Sequence, residues 1–390
     1  MSTKKNSDPQ SQQAMIAIED GTVFQGISFG VSGERTGEMV FNTGMAGYQE
    51  VLTDPSYKGQ MVVMTAPQIG NYGIHPEASE SGSVHMDAFI VREQSRIPSH
   101  WESREGLKEF LLRHNCMGVE GVDTRALTLR LREQGAMRAV VSTTDLDAAS
   151  LVEKARNAPT LIGRDLVREV TGQDLDFFRG MQEVSLGNDP HVVVYDFGVK
   201  RNIVRSLVRA GCRVSVVRAD TMASEVLGMH PDGIMLSNGP GDPEGIPYVV
   251  AEVAKLIGTV PMFGICLGHQ IIGLALGGRS FKLKFGHHGV NHPVRDVNTG
   301  RVQITVQNHG FCIDPESIDT SGMSVTHINL NDRTLEGIVV PEKLLMCVQF
   351  HPEAAPGPHD ALGLFGDFVD RINAWRAKNT AKKGKRTPGK

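Results

Sequence analysis

Between residues 191 and 277 the chain repeats one pattern four times: a short apolar, β-branched run, a turn, and an amphipathic stretch. HVVVYDFG leads into KRNIVRSLVRAG, CRVSVVRA into SEVLGMH, DGIMLSN into YVVAEVAKLIG, and PMFGI into LGHQIIGLALG. Neighbouring parallel strands cannot be joined by a tight turn and need a crossover, usually a helix, and strands buried on both faces read as unbroken apolar runs. The pattern predicts an α/β fold, a doubly wound and mainly parallel sheet with helices on both faces. In such sheets ligands bind where loops leave the carboxyl ends of the strands. SNGPGD at 237–242 and ICLG at 265–268 fall there.

At 390 residues the chain exceeds one ordinary domain, and 40% apolar content is enough for more than one core. Before the alternation, EMVFNTG and GQMVVMTA read as strands and REGLKEFLLRHN as a helix, which predicts a smaller α+β domain. The turn-rich stretch 171–190 reads as a linker, so residues 16–188 form the front domain with its linker and 189–378 the α/β domain. Residues 1–15, polar and without the apolar core of a signal peptide, read as a disordered lead. Residues 379–390 read as a solvated basic tail. A net charge of −4 gives no global field for nucleic acid or membrane, and the five cysteines show no CxxC pair. A soluble cytoplasmic protein follows, with neither a disulfide framework nor a zinc site.

Cys266 lies between Gly264 and Gly268 where a strand meets a helix. G-x-C-x-G there is the cysteine form of a nucleophile elbow, a tight turn that projects one side chain clear of the sheet with a helix N-terminus aimed at the sulfur. A small apolar residue ending a buried strand has the same spelling. QFHPEA at 349–354 places His351 and Glu353 two residues apart, able to share one face of an extended segment, or simply to form a surface turn. Together Cys266, His351 and Glu353 supply nucleophile, base and orienting acid. The glycine-rich loop SNGPGD is an ordinary turn in isolation, but opposite an elbow the amides of Gly239 or Gly241, with that of Leu267, would make an oxyanion hole.

GICLGHQ, SNGPGD and FHPE, in this order, closely resemble the class I triad glutamine amidotransferases. With YDFGVKRNI, KFGHHGVNHPV, QNHGF, LTDPSYKGQ, IGNYG and GVDTRALT, residues 16–378 are similar to the glutamine-hydrolysing small subunit of carbamoyl phosphate synthetase. The resemblance implies Cys266 as nucleophile, His351 as proton carrier, Glu353 as its support, and Gly239 and Leu267 as oxyanion donors. It implies L-glutamine contacts at Ser56, Gly239, Gly241, Leu267, Gln270, Asn308, Gly310 and Phe311. Ser56, from the front half, would bring the active site near the domain boundary. Asn308–Gly310 would be a loop offering backbone amides to the substrate, with His309 structural.

The chain has no GxxxxGK[ST] phosphate loop, so no cofactor is expected on it. The resemblance implies a large subunit that binds ATP and Mg, activates bicarbonate, receives the ammonia, and makes carbamoyl phosphate for arginine and pyrimidine synthesis. A stand-alone γ-glutamyl hydrolase would not need the front domain, and a retired regulatory module would normally lack Cys, His or Glu. No metal is expected: His287, His288 and His292 in GHHGVNHP have no carboxylate or cysteine nearby in sequence, and the segment reads as a loop.

Overall fold

All six residues of the run His191–Asp196 are buried, and they form a strand with parallel neighbours on both sides. Val193 and Tyr195 enter one apolar cluster, Val192 and Val194 another, because successive strand side chains point to opposite faces. Helices Pro247–Leu256 and Leu267–Ala275 contribute Val249, Val253, Leu256, Ile271 and Ile272 to the first cluster. Arg201–Arg209 and Gly363–Gly384 contribute Ile203, Val204, Leu207, Phe365, Phe368 and Ile372 to the second. Each fully buried aliphatic or aromatic side chain is worth roughly 1.5–3 kcal/mol, so both faces need their helices.

The computed structural model describes residues 12–181, 189–318 and 322–384. They divide into two compact units. The first, residues 12–52, 59–78 and 83–160, holds a closed seven-stranded barrel. Its strands run in the order Gln13–Ile18, Val23–Ser28, Met117–Glu120, Ala88–Ile90, Gln60–Met64, Glu34–Asn42 and Met137–Ser142, the last pairing back to the first. Helix Ala148–Asn157, capped by Asp147, lays Leu151 and Ala155 on Met15, Ala17 and Val140.

The second unit takes residues 161 onward together with two short stretches from the front half, 53–58 and 79–82. Its nine-stranded sheet begins with five parallel strands in the order Arg213–Arg218, His191–Asp196, Gly233–Leu236, Met262–Ile265 and Leu345–Val348. Four antiparallel strands extend it: Leu335–Val340, Ser324–Asn329, Ser280–Asp296 and Val302–Ile313. GHHGVNHP and QNHG, read from sequence as loops, lie inside the last two. Antiparallel pairing, with register shifts between Lys282 and His287 and between Gly289 and His292, absorbs their glycines and polar residues as bulges.

The ends differ from the sequence reading in detail. Strand Gln13–Ile18 starts within the expected lead, and Leu175–Met181 is helical within the expected linker. Helix Gly363–Gly384 carries the first part of the basic tail. Of these segments, residues 1–11, 182–188 and 385–390 lie outside the described residues.

Candidate active site

The turn between strand Met262–Ile265 and helix Leu267–Ala275 is a single residue, Cys266, with φ 54°. Such a conformation is costly for a non-glycine residue and is held only where surroundings fix it. Here Cys266 N–H donates to Val348 O at 2.9 Å and Gly268 N–H to Ser237 O at 3.0 Å. The glycines are a packing requirement. A Cβ on Gly268 would stand 2.3 Å from Leu236 O, and one on Gly264 would stand 2.8 Å from Gly268 O. The elbow is therefore formed as the spelling predicts, but its sulfur is not free-standing: Cys266 is 2% exposed. The thiol donates to Asn308 O at 3.6 Å, because strand Val302–Ile313 crosses over the turn.

That strand also places the base. His351 N–H donates to Val306 O at 2.9 Å, and His351 Nδ1 donates to Glu353 Oε1 at 2.6 Å. His351 and Glu353 do not share the face of a strand. Strand Leu345–Val348 has ended, and Ala354 N–H closes a turn onto His351 O at 3.2 Å, which folds carboxylate onto imidazole. Burial disfavours the imidazolium, yet Glu353 and Cys266 beside it outweigh burial and hold His351 well above the ordinary imidazole range. Glu353 is held low against the same burial, chiefly by Lys200 and His351. Burial pushes the thiols of Cys116 and Cys212 up to about 12 and also raises those of Cys312 and Cys347. Of the five cysteines, Cys266 is the one coupled to the imidazole that Glu353 supports.

The other residues singled out in the sequence gather around this pair. The loop at Gly239 presses on the start of the elbow helix: a Cβ there would lie 2.3 Å from Phe197 O and 2.7 Å from Leu267 Cδ2. Gly239 and Leu267 N–H make no backbone hydrogen bond among the described residues. Gly241 follows on that loop with φ 85°. Ser56 sits in the short turn Pro55–Tyr57, its Oγ accepting from Asn238 Nδ2 at 2.9 Å. Asn308 Nδ2 donates to Asp54 Oδ2 at 2.8 Å, and its Oδ1 accepts from His288 Nδ1 at 2.9 Å. Gln270 Nε2 donates to Phe311 O at 2.7 Å and Gln349 Oε1 at 3.1 Å. Gly310 and Phe311 are in the strand that covers the thiol.

Residues 16–141 match the family model described as carbamoyl-phosphate synthase small chain, CPSase domain, and residues 193–371 match glutamine amidotransferase class-I. The carbamoyl phosphate synthase small chain of Syntrophotalea carbinolica is 52% identical over 366 residues, 92% of this chain and 97% of the relative. The chain belongs to the carbamoyl phosphate synthase small-chain family. The small chain of Nitratidesulfovibrio vulgaris is 51% identical over 370 residues, 92% of this chain and 98% of that one. A chloroplastic small chain from Oryza sativa subsp. japonica is 48% identical over 371 residues, covering 92% and 82%.

Three residues of this small chain join the site without having been singled out in the sequence. Lys200 is fully buried, its Nζ 2.9 Å from Glu353 Oε1 and donating to Ala354 O at 2.6 Å. Asn238 Oδ1 accepts from Lys200 N–H at 3.0 Å, so one amide ties the lysine to Ser56. Asp54 accepts from Ser56 N–H at 2.9 Å as well as from Asn308. Position held the clue: Lys200 and Asn238 both follow the carboxyl ends of parallel strands. In this small chain no helix among the described residues is long and apolar enough to cross a membrane.

Proposed function

We propose that this small chain hydrolyses L-glutamine through a thioester on Cys266 and supplies the ammonia to a large subunit that makes carbamoyl phosphate. The observation that carries the reading is the convergence of Cys266, His351 and the buried Glu353 at one strand-to-helix turn. The Cys266 proton passes to His351, the thiolate attacks the side-chain carboxamide carbon, and the amide oxygen takes the negative charge. Gly239 and Leu267 N–H act as its donors, each worth about 3 kcal/mol in comparable acyl transfer. His351 gives its proton to the departing nitrogen and ammonia leaves. It then takes a proton from water, which attacks the thioester and releases glutamate and the thiol. Ser56, Gly241, Gln270, Asn308, Gly310 and Phe311 hold the substrate.

ATP and Mg belong to the large subunit in this reading, which activates bicarbonate there in a cytoplasmic complex. Glutaminase activity of the purified chain, alone and with a large subunit, tests it in wild type and Cys266→Ser. The expected result is hydrolysis stimulated by the large subunit and lost in the variant. Hydrolysis retained in Cys266→Ser would overturn the mechanism, and indifference to the large subunit would overturn the partnership.

A further inference from the structure

A second cluster of donors is buried in the antiparallel half of the sheet. His287 on Ser280–Asp296, His309 on Val302–Ile313 and Glu336 on Leu335–Val340 each offer one ligand atom, all within 4.8 Å of one another. Both imidazoles are oriented from outside. His287 Nε2 donates to Asp332 Oδ2 at 2.8 Å, and His309 Nδ1 donates to Phe311 O at 2.9 Å. In a neutral ring the other nitrogen then carries a lone pair, Nδ1 of His287 and Nε2 of His309. The His287 side chain is 6% exposed, and its Nδ1 has no hydrogen bond, facing Glu336 Oε1 at 3.9 Å.

Donor and acceptor accounting around Gln307 is the second observation. His309 Nε2 stands 2.9 Å from Gln307 Oε1, a hydrogen bond for an imidazolium but, in the neutral ring whose Nδ1 donates to Phe311 O, an acceptor facing an acceptor. Turning the amide over does not relieve this, since Gln307 Nε2 already donates to both Glu336 oxygens at 3.0 Å, and an oxygen there would face the carboxylate. Glu336 is fully buried, with Asn329 Nδ2 as its other donor at 2.8 Å and no Lys or Arg pairing with it among the described residues. A cation between the two imidazoles and the carboxylate gives both ring lone pairs and the buried charge a common partner once the Gln307 side chain turns out of the line of His309 Nε2.

We propose that His287, His309 and Glu336 bind a divalent transition-metal ion, zinc being the best match to two imidazoles and a carboxylate. Donors around zinc stand ~3.4 Å apart at bond lengths of ~2.1 Å, so the three side chains, now within 4.8 Å of one another, must draw together on binding. Asp332 and the Phe311 carbonyl are the outer partners that fix ligating imidazoles. The sequence ground for excluding a metal, no carboxylate near the histidines, fails in three dimensions because the sheet carries Glu336 and Asp332 to them. The ion would pin the strand whose Asn308 carbonyl receives the Cys266 thiol. It stands independently of the glutaminase reading.

Chelator-stripped full-length chain titrated with Co²⁺ tests it, followed by visible ligand-field absorption and by metal content after gel filtration. The expected result is one Co²⁺ per chain, displaced by Zn²⁺, with a raised Tm. Glu336→Gln should weaken binding at least tenfold, and Asp332→Asn, at the partly exposed rim, about tenfold. Cys266→Ala should bind as wild type does. Absence of stoichiometric Co²⁺ in wild type overturns the proposal, as follows if a proton shared between Glu336 and His309 completes the cluster. Binding kept in Glu336→Gln but lost in Cys266→Ala also overturns it, locating the ion on the thiol.

Discussion

Lys200 is the residue on which the orientation of His351 rests, because it neutralises Glu353 where water cannot. Removing one partner of a buried ion pair leaves the other uncompensated, at a cost of about 3 kcal/mol. Lys200→Met keeps the length and removes the charge, so urea unfolding at pH 7 should show a loss of about that size. The pH dependence follows from the direction of the Glu353 shift. Its folded pKa, about 2, lies below the ordinary 4.5, so its contribution is present above pH 4.5 and lost as pH falls through about 2. In Lys200→Met that acid limb should move to higher pH, and an unchanged acid midpoint would refute the role given to the lysine. Cys266, His351 and Glu353 were singled out by residue type and by the resemblance of their motifs, but the strand spacing argued for the last two gave way to a turn. Lys200 was not singled out, since a lysine after a strand ordinarily points to solvent and its burial depends on the Glu353 turn.

At the scale of elements, the strand-to-helix turn sets how far apart sulfur and imidazole lie. A Cβ on Gly268 would press on Leu236 O at 2.3 Å, backbone that cannot rotate away, so Gly268→Ala must lift the helix from the sheet. Overpacking of this kind costs about 1–3 kcal/mol, and a displacement near 1 Å at a reacting centre costs about 100-fold in rate. Steady-state glutamine hydrolysis should fall by about that factor while circular dichroism stays native. The parallel half of the sheet was legible because apolar runs and amphipathic helices alternate regularly. The antiparallel half was not: Ser280–Asp296 spells Gly-His-His-Gly-Val-Asn-His-Pro at its centre, and only pairing with Val302–Ile313 and Ser324–Asn329 makes it a strand. The same pairing buries the thiol that the elbow spelling presents as accessible.

Across the whole chain, the unit that holds Cys266 is assembled from three separated stretches, and residues 53–58 are the part that reaches Asn238 and Asn308. Asp54 is the link. It is 5% exposed, its Oδ1 accepts from Ser56 N–H and its Oδ2 from Asn308 Nδ2, so one carboxylate positions a hydroxyl and an amide that are far apart in sequence. DPSY reads as a turn from sequence alone, and nothing local tells that its carboxylate meets Asn308. Asp54→Ala leaves Cys266, His351 and Glu353 in place while freeing Ser56 and Asn308 from their shared anchor. Groups that hold substrate equally in ground and transition states change KM rather than kcat. The expected outcome is a KM for glutamine raised about tenfold, equivalent to about 1.4 kcal/mol, with kcat within a few-fold of wild type. A fall in kcat at unchanged KM would instead assign Asp54 to the reacting centre, and the glutamine contacts at Ser56 and Asn308 would have to be redrawn.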